Sequence, residues 1–281
     1  MRWMNNVKTA MLLGGMMALC LLIGSIWGTQ GLIIGLVFGL FGNVAAYFYS
    51  DKIATMSMGA REVSYEEAPE LHTIVARLAE RAGLPKPRVY IAPQPAPNAF
   101  ATGRNPQHAA VAVTEGMLRN FPLPEIEGVL AHEMAHVKHR DVLISTVASV
   151  MAGLISYAAY MAMWFGGGRN RESPFGAIGG LLTILLAPLA AGLIQMAISR
   201  QREFAADSYG GELCGNPLKL ASALERLHYG NEQIPTDTPP AFHNLYIVQP
   251  LAGGGIASLF STHPPIEQRI AALRAQAARQ R

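Results

Sequence analysis

Two histidines four residues apart, with a glutamate directly after the first, stand near the middle of the chain in Ala131-His132-Glu133-Met134-Ala135-His136. Ile126, Val129 and Leu130 lead in as an apolar pattern, and no Gly or Pro lies between Val129 and Leu143, so the stretch reads as helix. Helix positions four apart share a face, so both imidazoles can reach one metal ion. Glu133 points aside, near enough to meet a water on that ion without binding the ion itself. This is the H-E-x-x-H arrangement of zinc-dependent peptide hydrolysis.

Two histidines do not complete such a centre, which commonly has three protein ligands and an open position. One class of these sites takes a further His six residues after the second, but Val142 stands there. His139 follows by three residues only and falls about one turn beyond the metal, which makes it a poor ligand. Glu203 is the better candidate, in Ser199-Arg200-Gln201-Arg202-Glu203-Phe204-Ala205-Ala206-Asp207. Glu203 and Asp207 share a helix face, so one carboxylate can ligate while the other holds a ligand imidazole in its metal-binding tautomer. Taken alone, the pair reads as a solvated acidic face beside Arg202. The His-Glu motif, and the position of both stretches at the ends of apolar runs, favour the ligand reading.

Those runs must position the chemistry. The chain has 281 residues, 51% hydrophobic and 15% charged, against about 25% charged in an average soluble protein. Thr9 to Trp27 and Gly28 to Ser50 carry no charge, and each is about long enough to cross a hydrocarbon core. Gly28-Thr29-Gln30-Gly31 makes the turn of a hairpin. A cleaved signal peptide is the rival for the first run; the second run following at once, with no clear small-residue cleavage site, argues for two retained spans. Val142 to Phe165 and Ser173 to Ser199 are likewise uncharged. Their Ala and Gly content also suits two buried helices of a globular domain, but such length without charge favours two further spans, the last kinked at Pro188. Arg2, Lys8, Lys52, Arg61, Lys138, Arg140, Arg200 and Arg202 flank the runs on what the positive-inside rule makes the cytoplasmic side; Arg169 and Arg171 on the outer loop run against it.

The expected fold is a mainly α membrane protein with four transmembrane helices and a cytoplasmic, zincin-like α+β catalytic domain. Residues 1–50 form the first two spans, 51–141 the first part of the catalytic domain, 142–199 the second two spans, and 200–281 the second part with the third ligand. Within the domain, Glu66 to Ala82 and Leu218 to His228 read as amphipathic helices, and Pro265 to about Gln276 as a basic one. Arg88 to Ala92, Asn98 to Gly103 and Ala109 to Thr114 read as strands of a small antiparallel sheet. A net charge of +3 without a Lys/Arg stripe excludes nucleic acid as a partner. Cys20 and Cys214 are far apart and form no C-x-x-C pair, which disfavours a disulfide and a thiolate metal site.

The motifs together resemble the HtpX membrane zinc endopeptidases, relatives of the CAAX prenyl proteases. The resemblance covers the two N-terminal runs, Pro97-Asn98-Ala99-Phe100-Ala101-Thr102-Gly103, the His132 motif, Ser199 to Asp207, and Thr262-His263-Pro264-Pro265 with Arg269. It implies one Zn2+ per chain held by His132, His136 and Glu203, with Glu133 as general base and Asp207 supporting the ligands. It further implies that Asn98, His263 and Arg269 line the cleft and bind substrate or the oxyanion. Ala205 stands where some members carry a non-ligating His, and His139-Arg140 is atypical. The resemblance also implies a multi-pass protein of the bacterial inner membrane, with its active site on the cytoplasmic side, degrading misfolded or damaged membrane proteins under envelope stress. The Asn98 to Thr102 strand offers an edge for a substrate backbone.

Two other functions fit the sequence less well. A CAAX-type protease processing one lipidated substrate is disfavoured, because no larger helical chamber accompanies the two N-terminal runs. Metal transport requires ligands inside the spans, which hold little beyond Asn43, Gln195 and hydroxyl residues.

Overall fold

The computed structural model describes residues 2–25, 28–165, 199–231, 242, 245–247 and 264–280. The expected fourth span, from Ser173, and His263 lie outside the described residues.

Helices α1 (Arg2–Ser25) and α2 (Gly28–Phe48) form the N-terminal hairpin. Both contain stretches long and apolar enough to cross a membrane, Asn5–Ser25 and Gly28–Phe48. Glycines let the two backbones touch: a Cβ at Gly35 would collide with the Cys20 carbonyl, and one at Gly24 with that of Gly31. Gly31, Gly35 and Gly39 recur every four residues on the buried face of α2, while Ile33, Val37, Phe38 and Phe41 stand exposed on the face a bilayer would solvate.

A short helix α3 (Ser50–Ser57) leads to strand β1 (Arg61–Glu62) and then to α4 (Pro69–Ala82), which ends at Gly83 with φ 64°. Helix α4 starts at Pro69 rather than Glu66, where proline presets the helical φ. Strands β2 (Arg88–Ala92), β3 (Ala99–Thr102) and β4 (Ala110–Thr114) fall where the sequence predicts them. The sheet they build is mixed, not antiparallel: its order is β1-β2-β4-β3, and β2 runs parallel to β4 with Arg88 opposite Ala110. Only β3–β4 and β1–β2 are antiparallel. Pro93, Pro95 and Pro97 lie in the link between β2 and β3. They keep that link from donating to a ladder; the chain passes one strand position to β3, and β4 returns as a hairpin between β3 and β2.

This leaves β3 at the edge, next to the motif helix. Side chains alternate across the sheet. Val89, Val111, Val113 and Ala101 join the core with α4, while Tyr90, Phe100, Ala110 and Ala112 join the core formed with α1 and α3. The sheet is therefore covered on both faces, with the membrane-competent hairpin contributing to one of them.

After α5 (Glu115–Asn120), the motif helix α6 (Leu123–His139) begins on Pro122 and Pro124. Its N-terminal acids are anchored: Glu125 to Ser222 and Arg226, Glu127 to Arg77 and Lys219. It stops at His139, because Arg140 adopts a left-handed conformation with φ 60°. Helix α7 (Val142–Phe165) then starts at once. Its first half is covered by neighbours, with Ile144, Val147, Ala148 and Met151 buried beside Leu12 and Ala54. Three helices complete the described chain: α8 (Arg200–Leu213), α9 (Pro217–Asn231) and α10 (Ile266–Arg279). Helices α8 and α9 pack on α6, and α10 closes over both.

Candidate metal centre

Helix α8 crosses α6 at the motif because a glycine lets it. A Cβ at Gly210 would lie 2.8 Å from the His132 nitrogen and 2.9 Å from its Cα. That close approach turns the face carrying Glu203, Asp207 and Gly210 toward the two histidines.

The predicted ligands converge. The Nε2 atoms of His132 and His136 are 3.2 Å apart. Glu203 brings Oε1 to 3.5 Å from His136 Nε2 and Oε2 to 3.8 Å from His132 Nε2. Metal–ligand bonds of 2.0–2.2 Å at tetrahedral angles give ligand–ligand edges of about 3.3–3.6 Å. With one ligand atom from each residue, the three side chains lie within 4.8 Å of one another, near enough to close on one ion, and two nitrogens with one carboxylate suit a divalent metal of the zinc kind. His132 and Glu203 are 1% and 6% exposed, so the donors are also withdrawn from bulk water.

Each histidine has a carboxylate at its far nitrogen. His132 Nδ1 lies 2.9 Å from Asp207 Oδ1, and His136 Nδ1 lies 3.4 Å from Asp141 Oδ2. A carboxylate there keeps the proton on Nδ1 and leaves the Nε2 lone pair for a metal. Asp207, singled out in the sequence, is brought to His132 by the fold. Asp141 was missed, and no local pattern signals it: five residues past His136, it would point away on a continuous helix. The left-handed Arg140 turns it back.

The electrostatics follow from burial and neighbours. Burial opposes the charged form of Asp207, but the adjacent Arg269 and His132 outweigh it and hold the carboxyl far below its usual range. Burial likewise opposes the charged form of His136, yet Asp141, Glu203 and Glu133 overcome it and raise its pKa to about 9. Without metal the site therefore carries a proton that a cation must displace. Burial pushes the Glu133 carboxyl up, partly countered by His132 and His136. Glu133 Oε2 accepts a 2.8 Å hydrogen bond from the Ala101 nitrogen, so the edge strand β3 fixes the glutamate.

Asn98 and Arg269 are not among the side chains lining the cleft. Asn98 is buried, its Oδ1 accepting from the Ile247 nitrogen at 3.1 Å and its Nδ2 donating to the Leu245 carbonyl at 3.4 Å. Arg269, 1% exposed, grips Asp207 through two 2.7 Å bonds and donates to the Ile247 carbonyl at 3.0 Å. Both residues hold 245–247, and Leu245, Tyr246 and Ile247 do line the cleft, with Phe100, Ala101 and Ser145.

A largely buried His-His-Glu triad on two packed helices, a glutamate held beside it by a sheet edge, and an apolar hairpin sharing a core with that sheet define a membrane metallopeptidase of the H-E-x-x-H kind. Comparisons with known proteins agree. The model of Peptidase family M48 matches residues 65–277. A "Protease HtpX homolog" of Persephonella marina is 52% identical over 275 residues, covering 95% of this chain and 96% of its own. Those of Burkholderia ambifaria and Thermodesulfovibrio yellowstonii are 51% identical over 273 residues and 50% over 281, covering 96% and 98% of this chain and 96% and 100% of their own. Among solved structures, that of S. mikatae Ste24p superposes with a TM-score of 0.52 at 21% identity, over 96% of this chain and 66% of that one. The chain belongs to peptidase family M48.

Proposed function

We propose that the protein is a zinc-dependent endopeptidase that cleaves misfolded or damaged membrane proteins at the cytoplasmic face of the bacterial inner membrane. The observation that carries the chemistry is the convergence of His132, His136 and Glu203, whose ligand atoms lie within 4.8 Å of one another. His132, His136 and Glu203 would hold one zinc ion, with Asp207 and Asp141 fixing the two imidazoles. Bound there, zinc supplies a Lewis acid that polarises a carbonyl and brings the pKa of bound water to about 7.

The remaining work falls to the chain. Glu133 takes the proton of the attacking water and returns it to the leaving amine; the upward push on its carboxyl brings it closer to the pH at which it must do both. Strand β3, at the sheet edge beside α6, offers backbone groups to an extended substrate. Such pairing reads little side-chain identity, as suits an enzyme that meets many unfolded sequences. The cleft beside the triad holds about 50 Å³, and residues 245–247 form one of its walls. Asn98 and Arg269 act through that segment and through Asp207. His263 is the remaining candidate for oxyanion stabilisation, by resemblance alone.

In this reading residues 51–141 and 200–281 form one catalytic domain, and 142–199 leaves it for the membrane as two spans and returns. The packing of α8, α9 and α10 on α6 or on one another supports the reunion of the two parts. The test is substrate trapping with Glu133→Gln in native membranes. Recovery of diverse damaged membrane proteins is expected. Recovery of one lipidated peptide, or of soluble proteins alone, contradicts the proposal.

A further inference from the structure

We infer that Asn5, on the first membrane-competent helix, is a positioning residue for the metal centre, acting through Asp141 on His136. The inference rests on reading His132, His136 and Glu203 as the metal site. Asn5 Nδ2 donates to Asp141 Oδ1 at 2.8 Å and to the carbonyl of Arg140 at 3.2 Å. The other oxygen of Asp141 faces His136 Nδ1 at 3.4 Å. The relay thus runs from α1, across the break between α6 and α7, to a metal-facing imidazole. Asn5 and Asp141 are 7% and 3% exposed, so water does not substitute easily for either partner.

The break explains why Asp141 needs such a clamp. Arg140, in the left-handed region, and Asp141 lie between two helices and belong to neither. Asn5 ties both residues at once, the carboxylate and the preceding carbonyl. Arg202 on α8 adds a weaker tie, with Nη1 3.5 Å from the same Asp141 oxygen. The two histidines are therefore served alike. The Asp207 carboxylate on His132 is clamped by Arg269 of the last described helix, and the Asp141 carboxylate on His136 is clamped from the N-terminal hairpin. The Asn5 side chain reaches out of α1 to Arg140 and Asp141, whereas within the helix the Thr9 hydroxyl donates to the Asn5 carbonyl at 2.9 Å. Deleting the Asn5 amide consequently removes the tie to the centre and leaves the local helix bond in place.

The experiment measures zinc affinity of the full-length protein in micelles by competition with a chelator, alongside melting of the metal-free protein. Supporting groups behind metal ligands are typically worth 10–100-fold in affinity, so Asn5→Leu is expected to weaken zinc binding by about tenfold. Thr9→Val, one turn along the same face and also buried, is expected to leave affinity unchanged. Adding Asn5→Leu to Asp141→Asn should weaken binding no further, since the relay is already broken. Wild-type affinity in Asn5→Leu, equal losses in Thr9→Val, or multiplying losses in the double variant would each overturn the inference. If Asp141→Asn does not fold, the contrast between Asn5→Leu and Thr9→Val decides alone. A wild-type protein that bound no zinc would overturn the metal site itself, and the inference with it.

Discussion

Gly210 and His132 touch backbone to backbone: a Cβ on Gly210 would lie 2.8 Å from the His132 nitrogen. No side chain fits there, and the neighbouring atoms are main chain that cannot swing aside. Gly210→Ala therefore pushes α8 off α6, carrying Glu203 and Asp207 away from the histidines. Overpacking of this kind costs about 1–3 kcal/mol. Melting of the metal-free protein should fall accordingly, and zinc affinity should fall with it; Gly211→Ala, whose Cβ would first meet Pro217 at 3.1 Å, is expected to keep zinc affinity.

Asp207 and Arg269 form a buried ion pair with two 2.7 Å bonds. Asp207 is depressed in the folded protein, so its contribution is full above the unfolded value of about 3.9 and is lost as pH falls below it. Removing the cation alone, in Arg269→Met, leaves a buried carboxylate and should cost about 3–5 kcal/mol at neutral pH. The parent's advantage over the variant should shrink as the pH is lowered and Asp207 takes up its proton, because the ion pair then no longer exists in either protein. Denaturant unfolding of the metal-free proteins at neutral and at acid pH measures both effects.

Arg140 is the only non-glycine residue with positive φ among the described residues. Glycine accepts that geometry without strain, whereas a β-branched residue does not. Arg140→Gly should fold and bind zinc like the parent. Arg140→Val should lose about 1–2 kcal/mol, and should weaken zinc binding because Asp141 no longer turns back to His136. Melting and chelator competition distinguish the two variants.

These same residues show what the sequence can carry. His132, Glu133 and His136 were legible from helical periodicity, and Glu203 from its four-residue spacing to Asp207 beside an apolar run. Strands β2, β3 and β4 were legible from composition, but their order was not: the proline-rich link after β2 allows either neighbour, and only packing selects the parallel one. Asp141 was hidden because its role depends on a helix break at an arginine, a residue that gives no warning of positive φ. Gly210 was hidden because its function is an absence of atoms. Asn5 reads in sequence as a polar residue before an apolar run, and only the fold brings it within 2.8 Å of Asp141.

Paired zinc and cleavage assays on Glu133→Gln, with Glu203→Ala beside it, bear most directly on the metal centre. Glu133 Oε2 is held by the Ala101 nitrogen and Glu133 is not part of the His132–His136–Glu203 triad, so Glu133→Gln should retain one zinc per chain while cleavage of an unfolded membrane substrate is abolished. Glu203→Ala should lose the zinc. Cleavage at the parent rate by Glu133→Gln, or full zinc stoichiometry in Glu203→Ala, would contradict the assignment.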